Sequence, residues 1–280
     1  MRKHLYLNLK RFDISPRYGG VNRLAPMCDW GGEIMRRTQS KLSEYNDAEF
    51  VIFFPEAHLL SASAARSAES LVKLGCQSVY RADTEAGGNF GAFTSNRTAN
   101  AMREMGCENT LIGHCEERAD KSGVLAQGNV VGKDASDAVC RVLNQEIKAA
   151  QKSGLGVLYC IGEKIEEQPQ WEDVLGAQLD IGLDGVNRDA VVIAYEPIWS
   201  IGPGKKPADK AYITKIARFI KERTSNMDVV YGGGLKQDNA EMLADIPEID
   251  GGLIALTRFS GEIGFYPDEY LQIIKKYLGR

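Results

Sequence analysis

In the stretch AYEPIWSIGPGKKP, Ala194 to Pro207, a single carboxylate, Glu196, stands between an apolar run and a segment of glycine, proline and lysine. Alone, such a residue is ordinarily a solvated group at the start of a surface loop. Three further polar residues are placed comparably. His114, one of only three histidines in the chain, lies in GHCEER, and Asn8 and Lys10 lie in NLK near the N-terminus. A carboxylate and an imidazole can pass protons, and an ammonium can offset developing negative charge. Singly, each has an ordinary reading: Lys10 as a solvated lysine, Asn8 as a turn former, His114 as a hydrogen-bonded structural histidine. Whether they act together depends on the elements that carry them.

Short apolar runs rich in β-branched and aromatic residues recur along the chain. They are HLYLNL (4 to 9), FVIFF (50 to 54), CQSVYR (76 to 81), NTLIG (109 to 113), LGVLYC (155 to 160), AVVIAY (190 to 195), DVVYG (228 to 232) and GGLIAL (251 to 256). Several are continuously apolar, as suits strands buried on both faces of a parallel sheet. Between them lie segments of helical spacing, among them Ala64 to Leu74, Asp134 to Lys152, Asp209 to Arg223, and Pro267 to Leu278 with proline at a first helical position. Eight strand–helix units in succession predict an α/β fold of the (β/α)8 barrel type. An open doubly wound sheet is the alternative, but the first strand runs into LKRFDISPRYGG and not into a glycine-rich phosphate loop. No linker or low-complexity run divides the chain, so residues 1–280 are read as one domain. In such a barrel the chemistry sits where strands end. Glu196 is one residue past the sixth strand, Asn8 and Lys10 end the first, His114 follows the fourth, and Tyr231 to Gly234 follow the seventh, so four polar groups converge on one face. At its strand-to-helix junction, His114 has backbone N–H groups of the next turn within reach; these oppose an imidazolium and favour neutral imidazole.

Composition is that of an ordinary globular chain: 44% hydrophobic, 26% charged, with a formal net charge of -4 that gives no signature of nucleic-acid binding. No stretch approaches the ~18 apolar residues of a membrane span, and the N-terminal apolar run is too short for a signal peptide, which predicts a cytoplasmic protein. The six cysteines, at 28, 76, 107, 115, 140 and 160, form no CxxC pair, so neither a disulfide framework nor a zinc site is expected.

The motifs together resemble the triosephosphate isomerase family. The match runs in the family's order through NLK (8 to 10), GAFTS (91 to 95), LIGHCEER (111 to 118), CIGE (160 to 163), YEPIWSIGPGK (195 to 205) and YGGG (231 to 234). The resemblance implies a cofactor-independent and metal-free isomerase, with dihydroxyacetone phosphate and glyceraldehyde 3-phosphate as the default pair. Glu196 would be the base, and His114 and Lys10 the donors to the carbonyl oxygen, assisted by Asn8. Glu116 would orient Lys10 or relay protons, and Pro197 to Lys205 would form a lid. It also implies a homodimer docking through residues 91–95, with Thr94 reaching toward the partner's catalytic groups. The family's phosphate site corresponds here to Gly202 in the lid, Gly233 and Gly234 after the seventh strand, and Ala255 and Leu256 at the eighth.

Two of those three places depart from the family. Gly234 stands where serine is usual, and Ala255 and Leu256 stand where a glycine pair is usual. Arg258, two residues on, is a candidate replacement grip for a phosphate or carboxylate, with a plain surface arginine as the competing reading. The first loop, carrying Arg17, Tyr18, Arg23 and Trp30, and the eighth, TRFSGEIGFYPDE, are long and would overhang the site. Cys115 and Glu117 replace a serine and an arginine, with little effect on the chemistry expected. These departures keep a related substrate, such as a tetrulose phosphate, and a non-catalytic sugar-phosphate-binding barrel open.

Overall fold

The computed structural model describes residues 2–201, 205 and 207–280; Gly202 therefore lies outside the described residues. Eight parallel strands close on themselves in sequence order: β1 (Lys3–Asn8), β2 (Ala48–Phe54), β3 (Val72–Gln77), β4 (Asn109–Ile112), β5 (Gly156–Ile161), β6 (Val191–Tyr195), β7 (Val229–Tyr231) and β8 (Gly251–Ile254), with β8 paired back to β1. Around them lie α1 (Trp30–Leu42), α2 (Glu56–Ala65), α3 (Ala99–Glu104), α4 (Cys115–Gln127), α5 (Gly132–Lys152), α6 (Trp171–Gly182), α7 (Lys210–Thr224), α8 (Ala240–Ala244) and α9 (Pro267–Tyr277). The closed barrel excludes the open doubly wound sheet. Among the described residues no helix is long and apolar enough to cross a membrane.

Strand parity decides which side chains meet the barrel axis. Tyr6, Val51, Phe53, Leu111, Leu158, Cys160, Ala194, Val230 and Leu253 form a buried inner cluster, while Leu5, Leu7, Phe50, Ile52, Ile193 and Val229 belong to the larger cluster shared with the helices. With a period of two, Tyr6 carries Asn8 onto the inner face, and Ala194 carries Glu196 there. At the opposite end His4 lies against Glu49 (2.7 Å) and Asp228 (2.9 Å), closing the barrel floor with ion pairs.

Most strands fall within one or two residues of their sequence-based bounds, but the third does not. The strand expected at 76–81 is Val72–Gln77, and the helix expected from Ala64 to Leu74 is absent. The apparent helical spacing there joins two different elements. The alanine-rich segment from Glu56 forms α2, the chain turns at Ser67–Ser70 (Ser70 N–H to Ser67 O, 3.2 Å), and Val72, Leu74 and Cys76 then alternate toward the helices as a strand. Ser78, at φ 74, breaks the strand in the left-handed region, so Val79 to Arg81 run into the third loop. At the other end of the barrel, β8 stops at Ile254, which leaves Ala255 and Leu256 as the first residues of the eighth loop.

The long first loop is packed down. Asp13, which is buried, accepts from both Arg11 nitrogens (3.0 and 2.8 Å) and lies 2.9 Å from His58 Nε2. Trp30 was expected among the groups overhanging the site; instead it opens α1, is 1% exposed and packs on the His58 ring with centroids 4.9 Å apart. Its apolar area is worth more in that core than in a wet mouth. Tyr18 does stand exposed, and Arg23 bridges to the eighth loop through Glu262 (3.4 Å) and the Ile263 carbonyl (3.3 Å).

Candidate active site

Four of the five expected catalytic residues come from three strand ends on one rim of the barrel, and the fifth opens α4 beside them. Glu196 is only 1% exposed. Its Oε2 accepts the Cys115 backbone N–H at 3.0 Å, and its Oε1 has no hydrogen-bond partner while lying 3.4 Å from His114 Nε2. A buried carboxylate oxygen without a donor is costly unless something else occupies the site, and such orphans concentrate where chemistry is done. The carboxylate is wedged from below by Gly232: a Cβ there would sit 2.6 Å from Glu196 Cγ. Only glycine lets β7 pass this close.

His114, 7% exposed, is the N-cap of α4, and its Nδ1 accepts the Glu116 N–H at 3.3 Å. That acceptor role assigns the ring proton to Nε2, the nitrogen that faces Glu196. The carboxylate of Glu116 spans two of the other groups: Oε1 bonds Lys10 Nζ at 2.7 Å and Oε2 lies 3.7 Å from His114 Nδ1. Burial works against the charge on Glu116, but Lys10 outweighs it and holds the carboxyl below its usual range. Lys10 itself sits at φ 41, in the left-handed region, with its N–H bonded to Asn8 Oδ1 at 3.0 Å. Gln77 Nε2 reaches the same Asn8 oxygen (3.3 Å) and the Lys10 carbonyl (3.2 Å), so the strained turn is braced from β3.

Two supporting carboxylates were not among the expected site residues, although both lie in the quoted motifs. Glu117, treated above as a neutral replacement, accepts the Gly113 N–H at 2.6 Å and bonds Ser78 Oγ and Lys121, thereby pinning the residue before His114 to the root of the third loop. Glu163, in CIGE, is fully buried, and its Oε1 accepts from Tyr195 (2.9 Å), Trp199 (2.8 Å) and Tyr212 (3.1 Å), while Ile198 N–H donates to its backbone carbonyl at 3.1 Å. It fastens the segment that follows Glu196 to β5. Burial raises its pKa despite these donors. Three aromatic donors converging on one acid become visible only when β5, β6 and α7 are side by side.

His114, Cys115 and Glu196 bring one ligand atom each within 4.8 Å of one another. Burial and the nearby Glu196 push the Cys115 thiol up to about 12, so it is a poor thiolate donor near neutral pH and the trio fits a metal badly.

Beside this cluster the backbone offers unused donors. The N–H groups of Gly233, Gly234, Ala255 and Leu256 find no acceptor among the described residues, and the Leu235 N–H to Leu253 O bond (3.0 Å) ties the seventh loop to β8. Arg258 is otherwise engaged. Its guanidinium pairs with Glu269 and stacks on Tyr266, 3.8 Å from the ring centroid, and its backbone bonds Gly264 in a small antiparallel turn. A guanidinium already engaged by a carboxylate and a ring favours the competing reading of Arg258 as a surface arginine over that of an anion clamp.

The sequence model of the triosephosphate isomerase family matches residues 28–276. The chain belongs to the triosephosphate isomerase family. Among curated relatives, the triosephosphate isomerase of Halorhodospira halophila is 32% identical over 256 residues, covering 86% of this chain and 91% of the relative. That of Alkalilimnicola ehrlichii is 32% identical over 219 residues, covering 74% and 76%. A solved triosephosphate isomerase structure from Bartonella henselae superposes with a TM-score of 0.72 over 99% of this chain and 100% of its own, at 22% identity, a likeness of fold. The match to the triosephosphate isomerase family spans the His114 and Glu196 segments and both loops of unused N–H donors.

Proposed function

We propose that the chain interconverts dihydroxyacetone phosphate and glyceraldehyde 3-phosphate, with Glu196 as the proton-transfer base. Family membership makes it an aldose–ketose isomerase, an intramolecular oxidoreductase. The observation that carries the finer reading is the Glu196 carboxylate: buried, held by one oxygen, and with the other free beside His114 Nε2. In the forward direction Glu196 takes a proton from the hydroxymethyl carbon next to the ketone, and the electron pair moves onto the carbonyl oxygen as an enediolate forms. The hydroxyl proton of that carbon passes to the former carbonyl oxygen and Glu196 returns its own proton to the former carbonyl carbon, so no electrons leave the substrate. His114 Nε2–H and the Lys10 ammonium donate to the oxygens that become negative, which is preorganised stabilisation of the transition state. Asn8 and Glu116 hold Lys10, the former through its backbone and the latter through its ammonium. Pro197 to Lys205 serve as the lid, anchored at its start by Glu163. The phosphate lies against the free N–H groups of Gly233, Gly234, Ala255 and Leu256; Gly202, outside the described residues, is the remaining member of the proposed phosphate site.

A protein acting in the cytoplasm as a homodimer completes this reading. The exposed third loop, in which Phe90 is 89% exposed next to GAFTS, supports docking through residues 91–95. A tetrulose phosphate is the second reading, favoured by Leu256 and by the folded-over turn from Arg258 to Gly264 at the rim. A panel assay of the purified protein against dihydroxyacetone phosphate, glyceraldehyde 3-phosphate and tetrulose phosphates tests it. The triose pair should give the highest kcat/KM; a tetrulose phosphate exceeding it tenfold overturns the substrate assignment.

A further inference from the structure

Gly234 has lost the side chain that the seventh loop of the family carries, and the space is not empty. A Cβ built on Gly234 would lie 3.5 Å from Lys236 Cε, so the lysine stem folds back along the loop into the region a serine at 234 would use. At its end the Lys236 ammonium stands 4.1 Å from the ring centroid of Phe259 in the eighth loop. That contact ties the half-buried lysine of the seventh loop to a ring of the eighth. Among the described residues no carboxylate lies within ion-pairing distance of it, unlike Lys10, Lys121 and Arg258. The backbone beneath is rigid: Asn239 accepts from the Lys236 N–H at 2.8 Å and donates to the Gly234 carbonyl at 3.0 Å. Gly234 itself, at φ 95, adopts a conformation that L side chains rarely take, so the local geometry has settled on glycine with the lysine beside it.

We propose that Lys236 is the cationic ligand for the charged end of the substrate, replacing a hydroxyl at position 234 by an ammonium reached from two residues on. This rests on the isomerase reading only for the identity of the substrate. A cation without a carboxylate partner, held by a ring and with its stem against Gly234, whose own N–H has no acceptor among the described residues, is a ligand for phosphate or another small anion of like shape. It also explains how the site keeps its anion while Arg258 stays with Glu269.

The test is binding of inorganic phosphate to the full chain by isothermal titration, alongside steady-state kinetics on glyceraldehyde 3-phosphate. Lys236→Met should raise the phosphate Kd about tenfold or more, the loss expected for one charged hydrogen-bond partner. Lys236→Arg should recover most of that affinity. KM should rise in parallel with Kd and kcat should move less. Lys133→Met, on a lysine exposed on α5, controls for overall charge and should match wild type. Phosphate affinity in Lys236→Met within twofold of wild type overturns the proposal. So does failure of the wild-type protein to bind phosphate, or a loss carried by Arg258→Ala in its place. The titration needs no turnover: a protein that isomerises no triose phosphate yet loses phosphate binding in Lys236→Met supports the anion site while refuting the substrate.

Discussion

Gly232→Ala should cripple turnover while leaving the barrel folded. The added Cβ would stand 2.6 Å from Glu196 Cγ and 3.0 Å from the Tyr195 carbonyl oxygen, where ordinary contact begins at 3.4 Å. The carbonyl belongs to the β6–β7 ladder, which the Gly232 N–H to Tyr195 O bond (2.7 Å) holds in place, so the side chain of Glu196 must give way. It has to retreat by about 0.8 Å or more. A misplacement of about 1 Å costs a reaction on the order of 10²-fold, because the base no longer meets its proton at hydrogen-bonding range. Overpacking of one methyl also costs about 1–3 kcal/mol of stability. The expected result is kcat lowered roughly 100-fold, with circular dichroism unchanged and a modest drop in Tm. A coupled spectrophotometric assay with a thermal melt reads both. A kcat within about threefold of wild type, at unchanged Tm, would show that Glu196 is not held against Gly232 in the working enzyme.

Glu163→Leu removes the acceptor for Tyr195, Trp199 and Tyr212; stability should fall by about 1–3 kcal/mol or more and KM should rise as the lid loses its anchor, which urea melts and kinetics will show. Glu146 is buried beside Glu117, with Lys121 serving both; burial first, then repulsion from Glu117, raises its pKa to about 8. A raised pKa means stability present below the unfolded value of 4.5 and lost as pH rises toward 8. Calorimetry should therefore find that Glu146→Gln gains on wild type in Tm between those limits, and a pH-independent difference would refute the buried-acid account. Thr94→Arg should yield a monomer by light scattering, with much reduced activity; a dimer that survives it would move the interface elsewhere.

Repetition made the barrel legible. Buried strands such as FVIFF and VVIAY and amphipathic helices such as α5 and α7 state their periods locally, and eight of them in turn leave few topologies. The third unit failed because the end of α2, the turn after it and the start of β3 together mimic one helical period, and nothing local marks Ser78 as the strand's end. Within the site, Glu196, His114, Lys10 and Asn8 were readable because each adjoins a strand end. Their supports were not: Gln77, Glu117 and Glu163 act across strands, and a sequence does not show which neighbours close a ring. The pairing of Arg258 with Glu269 was hidden for the same reason, since Glu269 lies in α9 and is seen only after the eighth loop folds over. Lys236 looked like any loop lysine until Phe259 stood opposite it.

The central claim is that Glu196 moves a proton between adjacent carbons of a triose phosphate. Proton NMR of dihydroxyacetone phosphate incubated with the protein in D2O tests it directly. The wild-type protein should produce glyceraldehyde 3-phosphate and place deuterium on the transferred carbon, and Glu196→Gln should lower both by a factor of about 10³ or more while its fold and phosphate binding persist. Product and deuterium appearing at the wild-type rate in Glu196→Gln would contradict the account.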